Sequence, residues 1–250
     1  MNGEKLRAVL EFYRDLGFTH LYHREYLAAS EAGLPTPRDS AQPEGCSEPA
    51  LIKLPGFAPA GDTLERIRED IGDCKRCRLH QGRHTIVFGS GNERAKLVFV
   101  GEGPGADEDT QGLSFVGRAG QLLTQMIEGT AKREGIPLQR KDVYICNVVK
   151  CRPPENRTPE PDEMEICGQF LFRQLSVIQP RAICALGATA ARALLGRREG
   201  VTRLRGNWYK WREIPLMVTY HPSYLLRPYN QNAKREAWED LKRALHFVYD

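Results

Sequence analysis

Three polar side chains able to take part in bond cleavage sit at or just past apolar runs. Glu102 follows Leu97-Val98-Phe99-Val100, Asn147 closes on Val143-Tyr144-Ile145-Cys146, and His221 follows Pro215-Leu216-Met217-Val218-Thr219-Tyr220. Short apolar runs bounded by charge and glycine read as buried strands. If the strands are parallel, the carboxylate, the amide and the imidazole share one edge of a sheet, where open α/β folds bind ligands. A lone histidine or a buried asparagine is more often structural, but three convergent polar groups make a site the better reading. The turn after the first run, Gly101-Glu102-Gly103-Pro104-Gly105, is followed by Asp107, Glu108 and Asp109 and carries no Lys or Arg before Arg118. A phosphate cradle needs backbone N–H groups and a cation, and the spacing matches neither a Walker loop nor a dinucleotide fingerprint. Glycines that bring the backbone close, beside a held carboxylate, suit orienting a water or stabilising a cation.

Cysteines form a second constellation. Cys74 and Cys77 make a C-x2-C pair among Lys75, Arg76 and Arg78, with Cys151 and Cys167 further along. Four thiolates suit a tetrahedral zinc or a [4Fe-4S] cluster, and spacing alone does not choose between them. Cys146 and Cys184 lie inside apolar runs and read as buried, reduced thiols. Cys46 reads as free.

The elements that must position these groups follow from the pattern. Helical signals cover residues 63–72, 118–133, 160–178, 188–195 and 231–248, and they alternate with strand signals at 96–100, 143–149, 182–186 and 215–220. That alternation predicts an α/β fold, a three-layer αβα sandwich around a central, mainly parallel four-stranded sheet. This main domain spans 62–250. Residues 1–30 read as a small helical N-terminal extension, with apolar positions at Leu6, Val9, Leu10, Tyr13 and Leu16. Residues 31–61 hold Pro35, Pro37, Pro43, Pro49, Pro55 and Pro59 and read as a linker. The extension reads either as a docking hairpin for an unknown protein or as a helix packed on the main domain.

The chain has 250 residues, a formal net charge of +4 and seven cysteines. The length suits one sizeable domain plus an appendage, and the mild positive charge permits a polyanionic partner. No apolar run approaches a membrane span and no signal-peptide pattern opens the chain, so the expectation is a cytoplasmic monomer with no membrane partner. Without an export signal, metal or redox use of the cysteines outranks a disulfide framework.

Four segments taken in order resemble the family 4 (type-4) uracil-DNA glycosylases: Gly101-Glu102-Gly103-Pro104-Gly105, Phe115-Val116-Gly117-Arg118-Ala119-Gly120-Gln121-Leu122-Leu123, Asn147-Val148-Val149-Lys150-Cys151-Arg152-Pro153-Pro154 and His221-Pro222-Ser223-Tyr224-Leu225-Leu226-Arg227. The four-cysteine arrangement matches as well, and the likeness covers about 63–250. The resemblance implies a [4Fe-4S] cluster on Cys74, Cys77, Cys151 and Cys167, with zinc as the alternative. It implies hydrolysis of the bond between uracil and deoxyribose in single- or double-stranded DNA, leaving an abasic site. It implies that Gly101, Glu102 and Gly103 contact uracil or hold the attacking water, that Phe115 stacks on the flipped base, that Asn147 reads the base edge and that His221 stabilises the departing uracilate. Glu102, Glu108 and His221 are the catalytic candidates. Ser223, Leu225, Leu226 and Arg227 are the candidates for contact with DNA. Ala106 stands where a further acid is common in the family. The stretch after Cys151 is short and lacks histidine, unlike the relative that bonds covalently to its DNA product. Two rival readings are a glycosylase for other deaminated bases and a non-enzymatic, metal-containing nucleic-acid binder.

Overall fold

The computed structural model describes residues 59, 61–227 and 230–250. The expected N-terminal piece (1–30) and nearly all of the Pro-rich stretch (31–61) lie outside these residues. So does Cys46.

The apolar runs form the middle of a six-stranded sheet. Its strands are β1 (Ser90–Gly91), β2 (Leu97–Gly101), β3 (Tyr144–Asn147), β4 (Ala182–Leu186), β5 (Trp208–Trp211) and β6 (Ile214–Thr219), in the order β1-β3-β2-β4-β6-β5. The four strands expected from the sequence are the parallel centre, β3-β2-β4-β6. Every residue of β2, β3 and β4 is buried, which is why they read as continuous apolar runs rather than alternating ones. The expected count of four was too low. β1 and β5 pair antiparallel at the two edges. β1 is two residues long, and β5 is a half-exposed Trp-Tyr-Lys-Trp stretch, so neither presents a buried-strand pattern.

Helices cover both faces. They are α1 (Leu64–Ile71), α2 (Ala106–Gln111), α3 (Arg118–Arg133), α4 (Pro161–Ile178), α5 (Gly187–Leu195), α6 (Val201–Leu204), α7 (Pro222–Leu225) and α8 (Gln231–Tyr249). The Thr63 hydroxyl caps α1 by accepting from the Arg66 N–H at 3.2 Å, as its place before the apolar run predicts. Successive strand residues point to opposite faces. Val98, Val100, Ile183 and Ala185 therefore pack with α1, α4 and α5, while Leu97, Phe99, Ala182 and Cys184 pack with α3 and α8. This is the expected three-layer arrangement. Cys146 and Cys184 are fully buried within it.

Strand order sets the location of the site. The chain leaves β2 for α3 on one face and leaves the neighbouring strand β4 for α5 on the other. Adjacent loops that part in this way open a crevice above the carboxyl ends of the strands.

Candidate active site

A cleft of about 270 Å³ lies at that edge, lined by Glu102, Phe115, Asn147, Asn156, Arg157 and His221 among others. Asn147 ends β3 opposite Gly101 of β2. Its side chain is 1 % exposed, yet neither its Oδ1 nor its Nδ2 has a partner among the described residues. An unpaired buried amide is costly, on the order of 1–3 kcal/mol per group. An amide left open toward a cleft is therefore poised for a ligand that supplies both a donor and an acceptor.

The neighbouring backbone is cut to fit this group. A Cβ on Gly101 would lie 2.5 Å from Asn147 Oδ1 and 2.5 Å from the Phe115 ring, so only glycine leaves both in place. Phe115 itself holds a left-handed φ of +55°, which is uncommon for a bulky residue. Three contacts enforce it. Glu108 Oε1 accepts from the N–H groups of Val116 (2.9 Å) and Gly117 (2.8 Å), and its Oε2 accepts from the Gly105 N–H at 3.1 Å. Arg140 donates to the Ser114 carbonyl at 2.6 Å. A Cβ on Gly120 would collide with the Phe115 carbonyl oxygen at 1.9 Å. The Phe115 ring thus stands 5.6 Å from the His221 ring, tilted by 40°.

Glu102 follows β2 and is held from across the crevice. Thr189, in the first turn of α5, donates its hydroxyl to Glu102 Oε2. Gly187, with φ +92°, lets α5 start directly against His221, where a Cβ would lie 3.0 Å from the His221 Cβ. On His221, Nδ1 accepts from the Ser223 N–H at 3.2 Å and lies 2.7 Å from the Ser223 hydroxyl. With Nδ1 accepting, Nε2 carries the proton. Burial pushes the imidazole pKa down from 6.5 to about 4, so the ring is a neutral N–H donor near neutral pH.

The residues read from the sequence divide by what surrounds them. Gly101, Glu102, Gly103, Phe115, Asn147 and His221 are brought together. Glu108 lines the cleft too, but its carboxylate oxygens are occupied by the three backbone N–H groups just described. Asp109 is fully buried and accepts from the His84 and Thr85 N–H groups, tying α2 to the preceding loop. In α7, Leu225 is 1 % exposed and packs with Tyr220, Ala233 and Ala237. The exposed apolar groups of that segment are Leu226 and Tyr224, and the Arg227 guanidinium lies 5.7 Å from the Tyr224 ring. Thr189, Arg140, Asn156 and Arg157 carried no signal in the sequence. Asn156 and Arg157 reach the cleft only because the loop after Cys151 turns back over it, with Glu155 and Asn156 at positive φ and Arg157 anchored on both oxygens of Glu163.

A neutral imidazole N–H, an open amide, a flat ring and a held carboxylate thus surround one cleft. Known proteins similar to this chain include glycosylases. Residues 88–242 match the model of the uracil DNA glycosylase superfamily. A type-4 uracil-DNA glycosylase of Thermotoga maritima is 46 % identical over 192 residues, covering 75 % of this chain and 95 % of the relative. The chain belongs to the type-4 uracil-DNA glycosylases. Other type-4 enzymes agree: that of Sulfurisphaera tokodaii is 43 % identical over 73 % of this chain and 83 % of its own length, and that of Archaeoglobus fulgidus is 41 % identical over 73 % and 92 %.

The four candidate ligand cysteines pack in or against one core cluster. Cys74 and Cys77 follow α1, Cys151 follows β3 and Cys167 lies in α4, and all four line one small cavity otherwise walled by Ile71, Ile86, Ile166, Phe170 and Lys150. N–H donors already face two of the sulfurs: the Lys150 backbone N–H lies 3.2 Å from Cys167 Sγ and an Arg83 guanidinium N–H lies 3.4 Å from Cys151 Sγ. A soft, four-thiol, largely apolar pocket with N–H donors at sulfur is chemically suited to a thiolate-ligated metal centre. Among the described residues, no group of three or more candidate ligands converges as it would on a single bound ion. No helix among them is long and apolar enough to cross a membrane.

Proposed function

We propose that this chain excises uracil from DNA by hydrolysing its N-glycosidic bond, leaving an abasic site. The observation that carries the reading is the Asn147 amide, buried at the end of β3 with both of its polar atoms unpartnered. Uracil offers a carbonyl acceptor beside an N–H donor, and one amide pairs with both. Cytosine presents the reverse order and would leave buried groups mismatched. The base is out of reach inside a duplex, so it must first be flipped into the cleft, where the Phe115 ring provides a stacking face.

Each remaining residue has a part in the reaction. As the bond breaks, the electron pair moves into uracil and positive charge grows on the sugar. His221 Nε2–H donates a hydrogen bond to the uracil oxygen that takes up the charge, and being neutral it need not surrender its proton. The Glu102 carboxylate, oriented by Thr189, stabilises the sugar cation and directs a water to it. The water's oxygen bonds to the sugar carbon and its proton leaves to solvent or to uracil. Glu108 shapes the loop that carries Phe115 rather than meeting substrate. Leu226, with Tyr224 beside it, fills the gap left by the flipped base, and Arg227 contacts phosphate. Leu225 roots that tip.

We further propose that Cys74, Cys77, Cys151 and Cys167 hold a [4Fe-4S] cluster. Four thiols lining one largely apolar cavity, with N–H donors facing two of the sulfurs, supply the donor set of such a cluster. Bound there, the cluster cross-links the loop after α1 to β3 and α4, so its part is structural.

Single-turnover release of uracil from labelled DNA tests the function. Wild type should release uracil, and Asn147→Ala and His221→Ala should each slow release by roughly 100- to 1,000-fold, the cost of removing one well-placed donor. Folded, cluster-loaded wild type that releases no uracil would overturn the reading.

A further inference from the structure

A second concave surface lies apart from the cleft. It is an open groove of about 480 Å³ between the middle of α3 and the first turns of α8. Its cations are Arg133, Lys234 and Arg235, and no Asp or Glu is among its lining residues. Arg157, Arg173 and Arg205, by comparison, are each engaged by an acidic side chain. The side chains of Lys234 and Arg235 have no hydrogen-bond or ion-pair partner among the described residues. Two buried polar atoms at this groove are also unpartnered: the indole Nε1 of Trp238 and the hydroxyl of Thr130, a residue only 1 % exposed. Unsatisfied buried donors beside unpaired cations describe a surface prepared for an anion.

The position of the groove indicates which anion. Met126, on its wall, packs into the apolar cluster that holds Leu225, the root of the exposed Leu226 tip. Helix α8 begins four positions after Arg227. The groove therefore adjoins the element that carries the exposed Leu226. An open trough with cations on both walls and an indole in its lining suits a chain of phosphates and sugars.

We propose that the α3–α8 groove binds the sugar–phosphate backbone of DNA beyond the flipped nucleotide. Lys234 and Arg235 neutralise phosphates, and Trp238, whose ring packs with the Arg133 and Lys242 cations, donates its indole N–H to a phosphate oxygen. The groove lengthens the DNA footprint past the cleft and takes no part in base choice. The inference rests on the uracil-DNA glycosylase reading.

The test uses the full chain and duplexes carrying one tetrahydrofuran abasic analogue, one long and one cut just past the lesion on both sides. Binding is followed by fluorescence anisotropy across a salt series. For Lys234→Ala/Arg235→Ala, affinity for the long duplex should fall about 10-fold and the slope of log K against log salt should shrink by about two, close to one per lost phosphate contact. Affinity for the short duplex, and uracil release from a short substrate, should match wild type. Trp238→Phe, which keeps a ring and removes the N–H, should weaken the long duplex alone. An unchanged salt slope on the long duplex would overturn the proposal, as would equal losses on long and short duplexes. In either case wild type would still release uracil. Absence of release by wild type is a separate failure, that of the glycosylase reading.

Discussion

At the scale of single residues, the site depends on side chains whose partners fix their chemical form. His221 is the clearest case. Its folded pKa of about 4 lies below the unfolded value of 6.5, because burial disfavours the imidazolium. Stability from the neutral ring is therefore complete above about pH 6.5 and is lost as pH falls toward 4. Uracil release should show no His221 ionisation between neutral pH and about 5 and should drop near pH 4. A rate that titrates near 6.5 instead would mean that the imidazolium takes part. Thr189 acts at one remove, through its hydroxyl on Glu102. Thr189→Val should slow single-turnover release by about 10-fold, the worth of one hydrogen bond to a charged group, while leaving Kd for DNA in place. Thr189→Ser should recover most of the rate. If valine and serine behave alike, Thr189 serves packing and not the carboxylate.

At the scale of elements, the segment from Gly105 to Gly120 works as one clamp. Glu108 joins its two arms through three N–H donors and holds Phe115 in a backbone conformation that the residue would not choose by itself. Glu108→Gln keeps the shape but turns an N–H₂ group toward a backbone donor. That substitution should lower the melting temperature and slow uracil release about 10-fold or more, because charge-assisted hydrogen bonds contribute on the order of 1.5–3 kcal/mol each. Saturating DNA would not restore the rate. Full activity in Glu108→Gln would show that Phe115 needs no such clamp. This division of labour was hidden in the sequence, where Glu102 and Glu108 are two carboxylates on one glycine-rich turn. Only the fold shows one facing Thr189 and the cleft and the other facing backbone.

At the scale of the whole molecule, the cysteine pocket and the cleft share the segment Asn147–Cys151. Asn147 opens to the cleft, Cys151 lines the cysteine cavity, and between them Lys150 is buried, donating to the Asn147 carbonyl at 2.9 Å and to Gln174 at 2.6 Å. Loss of the cluster should therefore loosen the base-reading strand end as well as α1 and α4. Cys74→Ser should lose iron and brown colour and melt at lower temperature, since a closed metal site contributes folding free energy. Unchanged iron content with unchanged melting would remove Cys74 from the ligand set.

The four central strands, their main helices and the polar candidates Glu102, Asn147 and His221 at strand ends were legible in the sequence pattern, while Gly101 and Phe115 entered as candidates through the family resemblance. Buried parallel strands are continuous apolar runs, and strand ends marked by glycine or a lone polar residue are readable one-dimensional signals. The edge strands β1 and β5 escaped because one is too short and the other too exposed to show such a pattern. Contacts between distant segments were decided by the tertiary structure alone. Thr189 meets Glu102 because the parting loops of β2 and β4 fold separate stretches of chain onto one edge, Leu225 is buried because α7 packs on Ala233 and Ala237 of α8, and the groove exists because α3 and α8, far apart in the chain, lie side by side. Spacing along the chain holds no record of which side chains meet across that crevice.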